Sequence, residues 1–184
     1  AEKTIRHSII SINNQTYSFD EIIIIDDNSS DNTSQIIKEF DKIKLIKNSV
    51  NKGLSHNRNL AIRNSSNNLI AAIDADVVLK KDWLETVLKK YDDNENIMCG
   101  GRMIEKFDNN KFNVWRSKYY SQNWGNKDID NPPFLFGCNT IINKKVWESV
   151  GGYDENLHTN GEDIDFSKKL RNNNSFKQYY CSNA

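Results

Sequence analysis

Short apolar runs alternate with helix-like stripes along this chain of 184 residues, and that alternation limits the folds it can adopt. Residues 22–25 are four consecutive isoleucines, a β-branched run typical of a strand buried on both faces. Residues 69–73 form a second apolar run, and stretches with apolar residues at helical spacing lie before and after it. Strands that alternate with helices favour βαβ units and a mostly parallel sheet flanked by helices. We therefore predict an α/β fold, with one domain over residues 1–184.

The individual elements follow from hydrophobic periodicity and from capping and turn residues. Predicted helices lie around 5–12, 36–40, 53–61, 83–91, 145–150 and 164–170. Predicted strands are 21–25, 43–46, 69–73, 97–104 and 176–181, and ordered structure is predicted to return at 134–143. A polar excursion at 105–133 interrupts the alternation and carries aromatic side chains: Phe107, Phe112, Trp115, Tyr119, Tyr120 and Trp124. These aromatics argue against disorder, and they either stack against a sugar ring or anchor the excursion to the body of the domain.

Charge and cysteine content exclude several classes of protein. Lysine plus arginine and aspartate plus glutamate both number 25, so the basic excess expected of a nucleic-acid-binding protein is missing. Cys99, Cys138 and Cys181 are not at zinc-ligand spacing and cannot all pair, which favours reduced, mostly buried thiols in a cytosolic protein. No apolar stretch approaches the ~20 residues of a membrane span, and the N-terminus is not typical of a signal peptide. We predict a cytoplasmic location, with any contact to the inner face of the membrane made through regions outside this sequence.

Two carboxylates one residue apart, Asp74 and Asp76, follow the apolar run at 69–73. Open α/β sheets place their ligands at the carboxyl ends of strands, and alternation along an extended chain would send both carboxylates to the same side. Mg²⁺ or Mn²⁺ prefers such oxygen ligands, and Mg²⁺ is often held by one or two carboxylates together with substrate phosphates. An isolated Asp-x-Asp is more often a solvated turn, so other parts of the chain have to decide between the two interpretations.

Four segments in a fixed order favour the cation-binding interpretation. They are 24–31 (IIDDNSSD), 51–59 (NKGLSHNRN), 74–76 (DAD), and 151–155 (GGYDE) with 161–163 (GED). Together they resemble family 2 glycosyltransferases of the GT-A fold, and the resemblance covers nearly the whole chain. It implies a Rossmann-like domain that transfers a sugar from a nucleotide-diphosphate donor, with inversion at the anomeric carbon. The expected donor is a UDP-sugar, and the expected acceptor is a carbohydrate, glycolipid or glycoprotein.

The resemblance also implies which residues bind the donor. Asp76 takes the place of the direct metal ligand, with Mn²⁺ or Mg²⁺ as the cofactor, and Asp74 faces the ribose or sugar and can share the metal. Asp27 takes the place of the aspartate that accepts a hydrogen bond from the base; the structural alternative is helix capping, the role we assign to Asp31. Arg58 falls near the diphosphate, although an isolated arginine on an amphipathic helix is more often a surface residue. The remaining donor-binding residues implied by the resemblance are Gly53, Gly137 and Asn139.

By the same resemblance, Asp163 is the general base that removes the proton of the acceptor hydroxyl, and Glu162 orients the acceptor or the donor. A structural alternative is open here too, since acidic residues at the start of a helix interact favourably with its macrodipole. Gly161 favours the functional interpretation, because glycine allows the close approach of a ligand. The family usually begins with a strand whose final turn holds the nucleotide. No part of this sequence matches that strand, so we expect it to be absent or to lie upstream.

Two other functions stay open at this point. The segment that begins Asp74-Ala75-Asp76-Val77 and continues to Val78 also satisfies the Asp-x-Asp-x-Val signature of haloacid-dehalogenase-like phosphatases, in which Asp74 would attack phosphorus with Mg²⁺ present. That motif normally opens the fold, whereas several predicted elements precede it here. The second alternative is a non-catalytic domain of the same fold that binds a sugar or a nucleotide. The oligomeric state does not follow from the sequence.

Overall fold

A computed structural model describes residues 1–91, 97–106, 110–173 and 175–184. Phe107, one of the aromatic residues of the predicted excursion, lies outside these ranges. Helices α1 to α7 are Ile5–Asn13, Thr33–Ile37, Leu54–Asn64, Trp83–Leu88, Lys111–Tyr119, Lys144–Ser149 and Glu162–Asn172. Strands β1 to β7 are Ile22–Asp26, Ile43–Lys47, Leu69–Ile73, Ile97–Gly101, Ile129–Asp130, Asn139–Asn143 and Lys177–Cys181. Within the described ranges, no helix is both long enough and apolar enough to cross a bilayer.

The strands form a mixed arrangement. β1 pairs with β2 in parallel, and the other strands form one sheet in the order β3-β6-β4-β7-β5. β6 is antiparallel to both β3 and β4, so β3 and β4 run in the same direction on either side of it and are joined by the crossover that contains α4. β7 is parallel to β4, and β5 is antiparallel to β7. The predicted α/β class is confirmed, and β3, β4 and β7 share the direction expected of parallel crossovers.

Three predicted elements end earlier than expected: α2 at Ile37, α4 at Leu88 and β4 at Gly101. Phe40 lies beyond the end of α2 and packs against the hydrophobic cluster between α1 and α2. The strand predicted over 97–104 ends at Gly101, and in the segment 134–143, where we predicted a return of ordered structure, strand β6 begins only at Asn139. In and near the segment before β6, three aromatic rings pack on one another at centroid distances of 5.0–6.1 Å: Trp124, Phe134 and Phe136. Side-chain packing therefore replaces strand pairing in that segment.

The loop after β1 is held by its own acidic residues. Asp26 Oδ1 accepts from the Ser29 amide at 2.8 Å, and Asp31 Oδ1 accepts from the amide of Thr33, the first residue of α2, at 3.0 Å. The N-cap of α2 is Asn32, so Asp31 is not the cap itself; from one position earlier it accepts from the otherwise unpaired amide of the first helical residue. Because both ends of the loop are fixed in this way, the position of Asp27 between them is fixed as well.

The two faces of the central sheet carry separate hydrophobic clusters. Successive strand residues point to opposite faces, so Met98 lies in the cluster that α3, α6 and α7 contribute to, while Cys99 lies in the cluster that contains the side chains of α4. The same alternation separates Ile142 from Ile141 in β6. The three cysteines are buried and unpaired, as predicted. Helices thus cover both faces, and the loops at the strand ends are left to form the candidate site.

The excursion at 105–133 contains α5 and β5 and uses its aromatic residues in two ways. Trp124 Nε1 donates to the Phe134 carbonyl at 2.8 Å, and the two rings meet edge to face at 5.1 Å. The rings of α5 and the residue after it are exposed instead: Phe112, Trp115, Tyr119 and Tyr120. Anchoring is confirmed for Trp124, and stacking against a sugar stays a prediction for the exposed rings.

Candidate active site

A buried arginine on α3 joins three segments that lie far apart in the sequence. The Arg58 side chain is 8% exposed, and its Nη2 donates to Asp74 Oδ1 at 3.0 Å. Its Nη1 donates to a carboxylate oxygen of Glu162, the first residue of α7. Tyr153 lies against the guanidinium group, with its ring centroid 5.7 Å from Arg58 Cζ. The surface-residue alternative for Arg58 is therefore wrong, and the predicted donor and acceptor motifs meet at its guanidinium group.

Opposite charges compensate one another in this cluster. Burial works to lower the pKa of Arg58, but the attraction of Tyr153, Asp74 and Glu162 outweighs it and raises that pKa above its ordinary value. Burial raises the pKa of the Tyr153 hydroxyl to about 12, so Tyr153 stays neutral at physiological pH. Buried ion pairs of this kind carry a desolvation cost, and the removal of one partner leaves an uncompensated charge.

Asp163, the predicted base, reaches the same cluster through Gly137. The Gly137 amide donates to Asp163 Oδ2 at 3.2 Å, and the Ile164 amide donates to Asp163 Oδ1 at 2.8 Å. A Cβ at residue 137 would collide with the Arg58 guanidinium group, so glycine is needed for the chain to pass this close. The structure thus brings together five predicted site residues: Arg58, Asp74, Gly137, Glu162 and Asp163.

The two aspartates after β3 lie in a turn and not on an extended strand. β3 ends at Ile73, and the Val77 amide donates to the Asp74 carbonyl at 3.1 Å. The argument that alternation places both carboxylates on one side is wrong, because the extended backbone stops before them. Asp74 is held by Arg58, whereas Asp76 is exposed and has no hydrogen-bond or ion-pair partner among the residues that the structure describes.

The chemistry of these two side chains fits a hard divalent cation. Asp76 offers both of its carboxylate oxygens, and Asp74 keeps Oδ2 beside the Oδ1 that accepts from Arg58. In the described part of the chain, no group of three or more His, Cys, Asp or Glu side chains could hold a metal ion. A cation bound here would therefore depend on further oxygen ligands from outside the chain, such as phosphates and water.

Asp27 and Gly53 form a second centre at the start of α3. Asp27 Oδ1 accepts from Asn48 Nδ2 at 2.7 Å and from the Lys52 amide at 2.8 Å, and Oδ2 accepts from the Gly53 amide at 2.9 Å. Burial works to raise the pKa of Asp27, but hydrogen bonds outweigh it and hold that pKa below its ordinary value. Asp27 therefore fixes the loop between β2 and α3. Its contact with a nucleotide base stays a prediction.

Gly53 also brings α3 against the loop that precedes α7. Its φ of 86° favours glycine, and a Cβ there would lie 2.7 Å from the carbonyl oxygen of His158. The Leu54 amide donates to that carbonyl at 2.9 Å. The start of α3 is thus set by backbone contacts on two sides, and the predicted donor-binding role of Gly53 stays a prediction.

The same loop is fastened to α3 by a polar network that we did not predict. Asn59 Nδ2 donates to the Tyr153 carbonyl and to Glu155 Oε1, both at 2.9 Å, and Asn59 Oδ1 accepts from Trp147 Nε1 at 3.0 Å. His56 Nδ1 lies 2.7 Å from Glu155 Oε2. Hydrogen bonds, from Asn59 first and His56 second, lower the pKa of Glu155 to about 2. The sequence signal for this network was the high polar content of residues 51–59, more than one solvent-facing side of a helix requires.

Asn139 does not join the cluster around Arg58. Its side chain is buried, accepts from Trp83 Nε1 and donates to Met103 Sδ at 3.4 Å. These contacts join the start of β6 to α4 and to the segment after β4. The donor-binding role predicted for Asn139 stays a prediction, and its observed contacts are those of a packing residue.

Comparisons with known proteins agree on one family. The family model described as Glycosyl transferase family 2 matches residues 1–151. A glycosyltransferase of Haemophilus influenzae is 33% identical over 136 residues, which cover 71% of this chain and 42% of that protein. A poly-beta-1,6-N-acetyl-D-glucosamine synthase of Staphylococcus epidermidis is 37% identical over 177 residues, which cover 91% of this chain and 42% of that protein.

A solved structure shows the same fold. The crystal structure of GalNAc-T7 with UDP, GalNAc and Mn²⁺ matches with a TM-score of 0.74 and 16% identity, over 98% of this chain and 40% of that chain. At that identity the likeness shows the fold alone. The chain described here spans less than half the length of each of these three proteins.

Proposed function

Because the chain belongs to glycosyl transferase family 2 and has the GT-A fold, we propose that it transfers a sugar from a nucleotide-diphosphate donor to an acceptor hydroxyl, with inversion at the anomeric carbon. The proposed donor is a UDP-sugar, and the proposed acceptor is a carbohydrate, glycolipid or glycoprotein. The Staphylococcus epidermidis relative is by name a synthase of a sugar polymer, and GalNAc-T7 was crystallised with UDP and Mn²⁺. The first fact supports the handling of sugars, and the second supports a nucleotide-bound donor.

One observation carries this proposal: Arg58 joins Asp74, from the Asp-x-Asp segment, to Glu162, from the Gly-Glu-Asp segment. An inverting transfer needs a donor site and a base on opposite sides of one anomeric carbon, held in a fixed relation. Arg58 and Glu162 are 104 positions apart in the sequence, so their contact is a property of the fold. The contact of both segments with the buried Arg58 guanidinium group supports such a fixed relation.

We assign the acceptor side to Asp163. Its carboxylate takes the proton of the acceptor hydroxyl while the acceptor oxygen forms a bond to the anomeric carbon. The bond between that carbon and the diphosphate oxygen breaks, and its electron pair leaves with the nucleoside diphosphate. The Gly137 amide holds Asp163, and Arg58 holds Glu162, so both carboxylates are oriented before a substrate binds.

We assign the donor side to the turn after β3. Asp76, together with Asp74, is the pair that would hold Mn²⁺ or Mg²⁺ when the diphosphate completes the ligand set. A divalent cation bound there stabilises the negative charge that develops on the departing diphosphate. Arg58 is already compensated by two carboxylates, so its proposed role is to orient Asp74 and Glu162.

A thermal-shift screen tests this proposal before the acceptor is known. The chain is melted with UDP, GDP and their sugar conjugates, each with and without MnCl₂ or MgCl₂. We expect the melting temperature to rise when nucleotide and cation are both present, with UDP more effective than GDP. Asp76→Asn should remove the cation-dependent rise, whereas the control Asp82→Asn, an exposed aspartate just before α4, should retain it. A melting temperature that no nucleotide raises in the presence of cation would contradict the proposal.

The phosphatase and the non-catalytic binding domain, the two alternative functions that the sequence left open, are distinguished as follows. The phosphatase alternative loses its basis, because the chain belongs to another family and Arg58 holds the Asp74 carboxylate that would have to attack phosphorus. A non-catalytic domain would bind nucleotide with cation but would not release UDP from UDP-sugars, even with a panel of saccharide acceptors. Measured UDP release that depends on Asp163 would exclude that alternative.

A further inference from the structure

α5 presents an aromatic stripe to solvent. Phe112, Trp115 and Tyr119 are three and four positions apart, which places them on one face of the helix. Their exposed fractions are 67%, 48% and 61%. The opposite side carries Asn113 and Ser117, and these polar residues are the less exposed ones. The usual arrangement, in which the apolar face of a surface helix packs on the core, is therefore reversed in α5.

The exposed rings form one patch. The Trp115 centroid lies 6.2 Å from that of Phe112, 5.8 Å from that of Tyr119 and 5.2 Å from that of Tyr120. Exposed apolar patches of this kind mark interaction surfaces. The rings are tilted by 30–49° to one another, so they do not offer the common flat surface on which a row of sugar rings would stack.

Two lysines flank the patch on one side. Lys111 and Lys118 are both exposed, and their spacing of seven positions puts them on the same edge of the stripe. Lys118 Nζ lies 5.3 Å from the Tyr119 ring centroid, so ammonium and aromatic groups are adjacent. Tryptophan and tyrosine rings beside lysine are the combination that places a helix in the interface of a bilayer.

The lysines also distinguish between occupants of this patch. In a two-fold contact between two copies of the chain, this surface would face itself, and because residues 111–120 contain no Asp or Glu, the lysines of each copy would meet no opposite charge there. A surface of anionic lipid instead offers an apolar region below the headgroups, which the rings can enter, and phosphate groups, which the ammonium groups can contact. Charge complementarity therefore favours the lipid surface over a second copy.

We propose that α5 is a membrane-surface helix. Its aromatic stripe and Tyr120 enter the headgroup region of a bilayer that contains anionic lipid, and Lys111 and Lys118 contact the lipid phosphates. Binding is peripheral, since a helix of nine residues lies in the interface and does not cross the bilayer. This proposal is independent of the proposed sugar transfer.

Co-sedimentation with vesicles tests the proposal. The vesicles contain phosphatidylcholine and phosphatidylglycerol in equal parts, or phosphatidylcholine alone. We expect the chain to sediment with the anionic vesicles and to be released as salt is added. Trp115→Ala combined with Tyr119→Ala should lower the partition coefficient at least about tenfold. Lys111→Gln and Lys118→Gln should lower it about fivefold each on anionic vesicles.

The matched control is a double variant, Tyr17→Ala combined with Val50→Ala. These two side chains lie outside α5 and are 55% and 51% exposed. The control should leave vesicle binding unchanged. Failure of the unaltered chain to sediment with anionic vesicles, or equal sedimentation of the aromatic double variant and the control, would overturn the proposal. A dimer in analytical ultracentrifugation that the aromatic double variant abolishes, without vesicle binding, would assign the stripe to a second copy and overturn it too.

Discussion

Arg58 is the residue on which the candidate site depends most, because it contacts both Asp74 and Glu162 while only 8% of its side chain is exposed. Two carboxylates around one guanidinium group form a triad whose members compensate one another; Arg58 and Glu162 are buried, and Asp74 is half-buried. Such a triad is weak grounds for high stability, since its desolvation cost is large. Its role is to orient side chains, because Arg58 holds the carboxylates of Asp74 and Glu162 in fixed positions.

Replacement of Arg58 by methionine removes the charge and keeps most of the side-chain volume. Asp74 and Glu162 then lose their partner, and we expect the free energy of unfolding to fall by about 3–5 kcal/mol in urea denaturation. Glu162→Gln in the same chain should recover part of that loss, because it removes the more buried of the two charges. The control is Arg63→Met on the same helix, whose side chain is 53% exposed, with an expected loss below ~1 kcal/mol. Equal losses for the Arg58 and Arg63 variants would contradict the assigned role.

Asp163 is tested by a substitution that keeps its shape. Asparagine at this position can still accept a hydrogen bond from the Gly137 amide through its one oxygen, loses the bond from the Ile164 amide, and cannot take a proton. We expect the rate of UDP release from the donor to fall by about 10²–10⁴-fold, with cation-dependent nucleotide binding unchanged. Asp165→Asn, two positions further along α7, should retain the rate. Undiminished turnover by Asp163→Asn would refute the role of this residue as the base.

α3 organises three neighbouring parts of the molecule at once. Its first turn receives the loop that Asp27 fixes, its middle carries Arg58, and Asn59 and His56 hold the loop at 151–158 through Glu155. A single rigid helix therefore connects the predicted base-binding residue to the cluster around Asp163. Displacement of α3 would disturb both centres together.

Glu155 links this arrangement to pH. Its pKa falls from an ordinary 4.5 to about 2 in the folded chain, chiefly through Asn59 and His56. Because the folded carboxyl group binds its proton more weakly than the unfolded one, its stabilising contribution is complete above pH 4.5 and is lost as pH falls to about 2. Glu155→Gln should therefore flatten the fall in melting temperature across that window.

The control for the pH experiment is Glu148→Gln, which changes an exposed glutamate of α6. Its melting temperature should fall with pH as steeply as that of the unaltered chain. An equally steep fall for Glu155→Gln would contradict the assignment of this pH dependence to Glu155.

Local signals in the sequence predicted some elements well and others poorly. The isoleucine run of β1 and the glycine before α3 act through their immediate neighbours, and both elements were predicted at nearly the observed limits. The antiparallel direction of β6 depends on the path that the chain takes through the excursion at 105–133. No local sequence pattern indicates that path. The turn at Asp74 was missed because the apolar run at 69–73 gave no sign of where the extended backbone ends.

The candidate site shows the same division. Arg58, Asp74, Gly137, Glu162 and Asp163 were predicted as members, yet the contacts among them were not, since a contact between positions 104 apart leaves no periodic trace. The network between Asn59 and Glu155, 96 positions apart, was missed for the same reason. The resemblance to the family predicted which residues belong to the site, and the folded structure provides the contacts among them.

In the described part of the molecule, two hydrophobic clusters cover the two faces of the central sheet, and a third lies around α1, α2 and the β1–β2 pair. Cys99, Cys138 and Cys181 all belong to the cluster on the α4 side, and they lie on β4, just before β6 and at the end of β7. Burial raises the pKa of Cys99 and of Cys138 to about 12, and it raises the pKa of Cys181 above its ordinary value. These thiols are therefore both inaccessible and un-ionised at neutral pH.

Thiol reactivity should for this reason report on the integrity of the whole fold. The thiolate is the reactive form, so we expect Ellman's reagent to modify none of the three cysteines in the native chain at neutral pH and all three in guanidinium chloride. Because Cys99 and Cys181 lie in the neighbouring strands β4 and β7, and Cys138 directly precedes β6 on the other side of β4, slow labelling under native conditions should proceed at one common rate, set by opening of the whole sheet. Mass spectrometry of partly labelled samples then shows chains with no label or with three. Rapid modification of one cysteine alone would contradict a single cooperative core, and it would show that the strand carrying that cysteine opens independently of the others.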